Sequence, residues 1–142
     1  MPRGFHVHRR LAGHLKFINL QSRKLARSLF HAMGRHQATL ERKQAQLGRF
    51  VEIGSELFAM AAAVSRADTL HSLDPEKYPG VIDLADIFCR HSRRRIKSTF
   101  KSISSNDDVA TYKFAQRVVE GEYEWLEAVS YTHLTLPTIL LV

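Results

Sequence analysis

The sequence holds one cysteine, Cys89, among its 142 residues. No intramolecular disulfide can form, which excludes the cross-linked scaffold of a small secreted domain. A long apolar run is lacking as well. Glu52, Glu56 and Arg66 interrupt the most hydrophobic stretch, so no window of about 18 apolar residues is left to cross a bilayer. The opening "MPRGFHVHRRLAGHLKF" is basic but has no unbroken apolar centre, which argues against a secretory signal. Internal repeats and low-complexity tracts are absent. So are a glycine-rich dinucleotide loop, a P-loop and a Gly-x-Ser-x-Gly nucleophile elbow.

Proline and glycine are scarce, four and seven respectively. The breaks fall at Gly34, "LDPEKYPG" (73–80), "SSNDD" (104–108) and Gly121. That spacing predicts a few long helices joined by short connections. Hydrophobic residues at 44% and charged residues at 25% match a globular protein, and the length suits one domain with a real core. The formal charge of +7 permits an acidic partner, but a diffuse excess of this kind is first of all a solvated basic surface.

Four helices are expected. The first runs from about Leu15 to Met33, with Leu15, Ile18, Ser22, Leu25, Leu29 and Ala32 on one stripe and Gly34 as its stop. The second begins near Thr39 or Leu40 and contains "LGRFVEIGSELFAMAAAVSRADTL" (47–70). Its apolar residues span about 200° of a helical wheel, twice the stripe of an ordinary surface helix. It is therefore expected to be central, covered on two or three sides. Gly54 with Ala59, Ala61, Ala62 and Ala63 gives it a thin waist.

Pro75 and Pro79 interrupt that helix. The third runs from about Val81 to Ile103. Val81, Leu84, Ala85, Phe88, Ser92, Ile96, Phe100 and Ile103 lie on one side of it, with Arg90, Arg93, Arg94, Lys97 and Lys101 opposite. Ser105 or Asn106 is expected to cap a fourth helix, with Asp107 and Asp108 at the positive end of its dipole. That helix carries Val109, Tyr112, Ala115, Val119, Tyr123 and Leu126 on one side, and Gly121 breaks or bends it. The fold class is all-α, a four-helix bundle-like domain, followed by an unstructured tail.

Candidate chemistry is thin. His6 and His8 stand two apart, and His31 and His36 five apart across Gly34, neither spacing being that of a zinc pair on one helix face. Cys89 falls on the apolar side of the third helix and reads as a buried thiol. Glu52 and Glu56 could supply an acid and a base, but Arg49 and Arg66 nearby favour an ion-pair cluster. No catalytic, cofactor-binding or metal-ligating residue is assigned. The basic strip of the third helix could track phosphates, yet Phe88 and Phe100 lie on its other side, where they cannot stack on bases.

Three blocks carry a family resemblance. They are "RKLARSLFHAMGRHQATLERKQAQLGRFVEIGSELFAMAAAVSRADTL" (23–70), "DLADIFCRHSRRRI" (83–96) and "SNDDVATYKFAQRVVEGEYEWLE" (105–127). Together they resemble the C-terminal extension of the very-long-chain type of acyl-CoA dehydrogenase, bacterial members above all. The resemblance covers about residues 15–128, with 1–14 matching weakly. It implies a parent enzyme that binds FAD and oxidises acyl-CoA to trans-2-enoyl-CoA in fatty-acid β-oxidation. The flavin and the catalytic glutamate lie in domains N-terminal to this extension, so Glu52 and Glu56 inherit no role and this piece alone is expected to be inactive and to bind no flavin.

The expected partners are those N-terminal dehydrogenase domains or a second subunit, with a homo-oligomer and peripheral membrane contact also open. The expected location is the bacterial cytoplasm. The alternative is a basic helical module for nucleic acid or anionic membrane, or a stand-alone oligomerisation domain. The tail "VSYTHLTLPTILLV" (129–142) departs from the family and resembles translated sequencing-adapter read-through.

Overall fold

A computed structural model describes residues 7–37, 40 and 43–125. Among them are four helices and no strand: α1 Arg9–His36, α2 Gln44–Leu73, α3 Val81–Ser104 and α4 Asp108–Val119. The all-α class is as expected. The tail, Leu126 and Thr39 lie outside the described residues. The chain divides after Ser105 into two compact units.

In the first unit α2 packs against both α1 and α3, and these two also touch. The order is up, down, up. Arg10 near the start of α1 meets Asp83 near the start of α3, while His8 meets Asp68 near the end of α2. On α2 the buried residues are Phe50, Ile53, Leu57, Met60, Val64 and Ala67, steps of three and four that define one helical stripe. Leu11 of α1 and Ile96 and Cys89 of α3 close over it, all without solvent exposure. Sealing side chains such as Ile53 and Met60 from water contributes about 1.5–3 kcal/mol each.

α1 begins six residues earlier than expected and does not stop at Gly34. The imidazole Nδ1 of His8 accepts from the Arg10 N–H at 3.3 Å, and the His8 N–H donates to Asp68 Oδ1 at 2.7 Å. Those contacts anchor a start hidden among charged residues, with Leu11, His14 and Phe17 buried at three-residue steps. At the other end the helix passes through Gly34, and Gln37 (φ 43°) turns the chain, its N–H donating to Met33 O. Ser22, expected on the inner stripe, is exposed.

α2 starts at Gln44, and Leu40 precedes it, because Lys43 (φ −92°, ψ 56°) is not helical. The thin waist is not filled to its limit. A Cβ on Gly54 would stand 3.8 Å from Leu25 Cδ2, an ordinary contact. α3 matches its expected span to one residue, entered through Gly80 at φ 74°, where a side chain would be strained. Leu84, expected inside, is 70% exposed.

The second unit contains α4. Asn106 Oδ1 accepts from the Asp108 N–H at 3.2 Å, as expected, and Asp107 is the N-cap residue. Ser105 instead closes α3, donating its N–H to Lys101 O at 3.0 Å. Gly121 at φ 86° follows the end of α4. No residue of α4 is buried, and Val109, Tyr112 and Val119 are exposed.

The two sides of α2 make opposite stability predictions. Ile53→Ala and Met60→Ala should each cost about 2–5 kcal/mol in urea unfolding. Phe58→Ala, at a residue 76% exposed, should change stability by less than about 0.5 kcal/mol.

Candidate docking interface

Two polar contacts between helices and one thiol stand out among the chemistry-bearing residues of the first unit. At the α1–α3 contact, the buried His14 and Asp86 meet at 2.8 Å between Nε2 and Oδ1. Arg90, one turn on from Asp86, reaches its Oδ2 at 2.9 Å, and Arg10 approaches the same oxygen at 3.7 Å. The hydrogen bond from His14, reinforced by Arg90, holds the Asp86 carboxyl below its ordinary value of 3.8. An ionised Asp86 accepts, so His14 Nε2 is the donor. This is a buried anion satisfied on two sides, which ties α1 to α3.

The second contact joins α2 to α3. Arg95 donates from Nε and from a terminal nitrogen to the two Glu56 oxygens, at 2.6 and 2.9 Å. It also donates to Ser92 Oγ at 3.0 Å. The Arg95 bond lowers the Glu56 carboxyl from its usual value. The ion-pair reading of Glu56 is thus right, but its partner is Arg95, across the helix interface, and not Arg49 or Arg66. The Arg-rich run that contains Arg95 gave no local sign of which cation turns inward. Glu52, the other half of the acidic pair, is exposed.

The basic strip of α3 is partly engaged within the fold. Arg90 serves Asp86, and the Arg93 guanidinium lies 4.5 Å from the Phe17 ring centre. Phe100 is buried and Phe88 half-buried, so neither stands among the exposed cations Arg94, Lys97 and Lys101. Cys89 is fully buried, and that burial pushes its thiol up to about 11. Among the described residues no cluster of histidine, cysteine and carboxylate side chains could hold a metal. No described helix is long and apolar enough to cross a membrane.

A groove of about 460 Å³ lies between α2 and α3. Ala59, Ala63 and Leu70 form one wall, and Val81, Leu84 and Phe88 the other, with Arg66 at the edge. Small residues on α2 make the depression, while Leu84 stands up beside it. Such a surface binds apolar side chains and offers almost nothing to orient a polar ligand. It does not fit a flavin: Arg66 alone could meet a pyrophosphate, and no donor faces a ring system.

The family model for the ACAD9/ACADV C-terminal domain matches residues 10–122. The chain belongs to that family. A probable acyl-CoA dehydrogenase, FadE10, of Mycobacterium bovis is 45% identical over 117 residues, 82% of this chain and 18% of that protein. FadE10 of Mycobacterium tuberculosis matches to the same extent. The chain therefore spans less than a fifth of the length of these relatives. No solved structure matches it. The match begins at Arg10, so this C-terminal domain takes in nearly all of α1 as well as α2, α3 and α4.

Asp86→Ala should cost about 3 kcal/mol at pH 7, since it leaves His14 facing no acceptor. A lowered carboxyl stabilises fully above its unfolded value of 3.8 and loses that contribution as pH falls through the folded value. The variant should therefore lose less stability than the parent when urea melts at pH 5 and about pH 2.5 are compared. Cys89 should resist alkylation in the native protein at pH 7.5 and react at once in urea, as mass spectrometry would show.

Proposed function

We propose that this chain is the C-terminal helical domain of an FAD-dependent acyl-CoA dehydrogenase and takes no part in the chemistry itself. Family membership and the match to FadE10 support the parent activity, oxidation of acyl-CoA to the trans-2-enoyl-CoA. In such an enzyme the flavin supplies the two-electron oxidation. None of the side chains assembled here is placed to hold it: the buried ionisable groups are neutralised by one another, and the groove is apolar.

The domain's work is docking. The observation that carries this reading is the α2–α3 groove with Leu84 exposed at its rim. An apolar, concave surface flanked by Arg66 suits an apolar edge of the dehydrogenase body, from the same subunit or its neighbour. The same reading places the enzyme in the bacterial cytoplasm. Exposed Arg94, Lys97 and Lys101 would allow contact with an anionic membrane surface without insertion.

The test is reconstitution. A FadE10-type dehydrogenase lacking its matched C-terminal region is mixed with this chain and run on a sizing column. A 1:1 complex that Leu84→Asp abolishes, with no flavin absorbance in the chain alone, is expected. Flavin retained by the isolated chain, or a complex indifferent to Leu84→Asp, would overturn the proposal.

A further inference from the structure

α1 carries no aspartate or glutamate anywhere along its length. Midway along it lies a cavity of about 350 Å³, lined by Leu20, Gln21, Lys24, Arg27, Ser28 and His31. Leu20, Lys24, Arg27 and His31 follow one another at steps of four, three and four, and Gln21, Lys24, Ser28 and His31 at three, four and three. Both series run down one face of a helix, so the side chains share one strip.

Every polar group on that strip offers a hydrogen-bond donor: an amide, an ammonium, a guanidinium, a hydroxyl and an imidazole. Elsewhere in the first unit Arg10 meets Asp83, Arg90 meets Asp86 and Arg95 meets Glu56. Among the described residues no carboxylate pairs with Lys24 or Arg27. The Lys24 ammonium instead lies 4.2 Å from the centre of the Phe100 ring of α3, which positions it and leaves its charge uncompensated by any anion. Between the donors the wall is mostly carbon, as Leu20 and the aliphatic stems of Lys24 and Arg27 provide.

We propose that this cavity binds a soluble organic phosphate, its phosphoryl oxygens on Lys24, Arg27 and His31 and its carbon body against Leu20. An ammonium and a guanidinium one turn apart suit a ligand with more than one phosphoryl charge. The volume lies in the range of small-molecule sites, about 300–1,000 Å³. A membrane surface is broad, and the exposed Arg94, Lys97 and Lys101 of α3 suit it better than a recess of this size. The cavity shares no residue with the apolar α2–α3 groove, so the site stands whether or not that groove meets a dehydrogenase body.

Calorimetry on the 142-residue chain at low salt tests this, with coenzyme A as the probe because its nucleotide end carries a pyrophosphate and a phosphate monoester. One molecule per chain should bind, about tenfold or more tighter than inorganic phosphate, which lacks the carbon body. Lys24→Gln with Arg27→Gln should weaken that binding about tenfold or more. Arg9→Gln with Lys77→Gln removes the same charge from the other end of α1 and the turn before α3, and should change it less than about twofold. Both double variants should keep the helical circular dichroism. No binding of coenzyme A, equal losses in the two double variants, or an affinity no better than that of inorganic phosphate would each overturn the proposal. Phosphatidylglycerol vesicles that bind the chain through Lys24 and Arg27 where coenzyme A does not would overturn it in favour of a lipid headgroup.

Discussion

The first unit depends on a single contact, the stripe of α2 from Phe50 to Ala67 pressed against α1 and α3. α1 and α3 touch each other less than either touches α2, so removing the α2 stripe would leave them with little in common. The ionic contacts sit around this apolar core and orient it. Asp86 with His14 fixes α3 on α1, and Arg95 with Glu56 fixes α3 on α2. Because Leu11 of α1, Ile53 and Met60 of α2 and Ile96 of α3 are fully buried, the register of all three helices follows from packing.

That same helix leaves work undone. Three helices can surround a fourth face only if another element arrives, and α2 has neighbours on two sides. What remains is Phe58 and Val51 on one side and the alanine wall of the groove on the other. An isolated domain gains nothing by exposing them, whereas a domain built to meet another surface does. The family match, less than a fifth of the length of its mycobacterial relatives, is consistent with a piece whose remaining contacts lie elsewhere.

Much of this was legible in the residues. The pair Pro79–Gly80 and the alternation of apolar and basic positions set α3 almost to the residue. The width of the apolar arc on α2 announced a central helix. Other features were not legible. The wheel could not divide that arc into a covered half and an open half, because the division depends on where α1 and α3 lie. The start of α1 was missed because a histidine cap and a buried His14 look like surface chemistry in the string "HVHRRLAGHLK". Arg95 is set apart from Arg94 by Glu56 opposite, 39 residues away in sequence. Leu84 reads as a core residue by period and is left at the rim because the alanines facing it are too short to cover it.

This fold leaves part of α2 and its groove uncovered. Hydroxyl-radical footprinting of the dilute chain, read by mass spectrometry, addresses it directly. Phe58 and Leu84 should be oxidised readily while Met60, intrinsically far more reactive, stays protected. Protection of Phe58 and Leu84 to the level of Met60 in a monomeric sample would contradict the account.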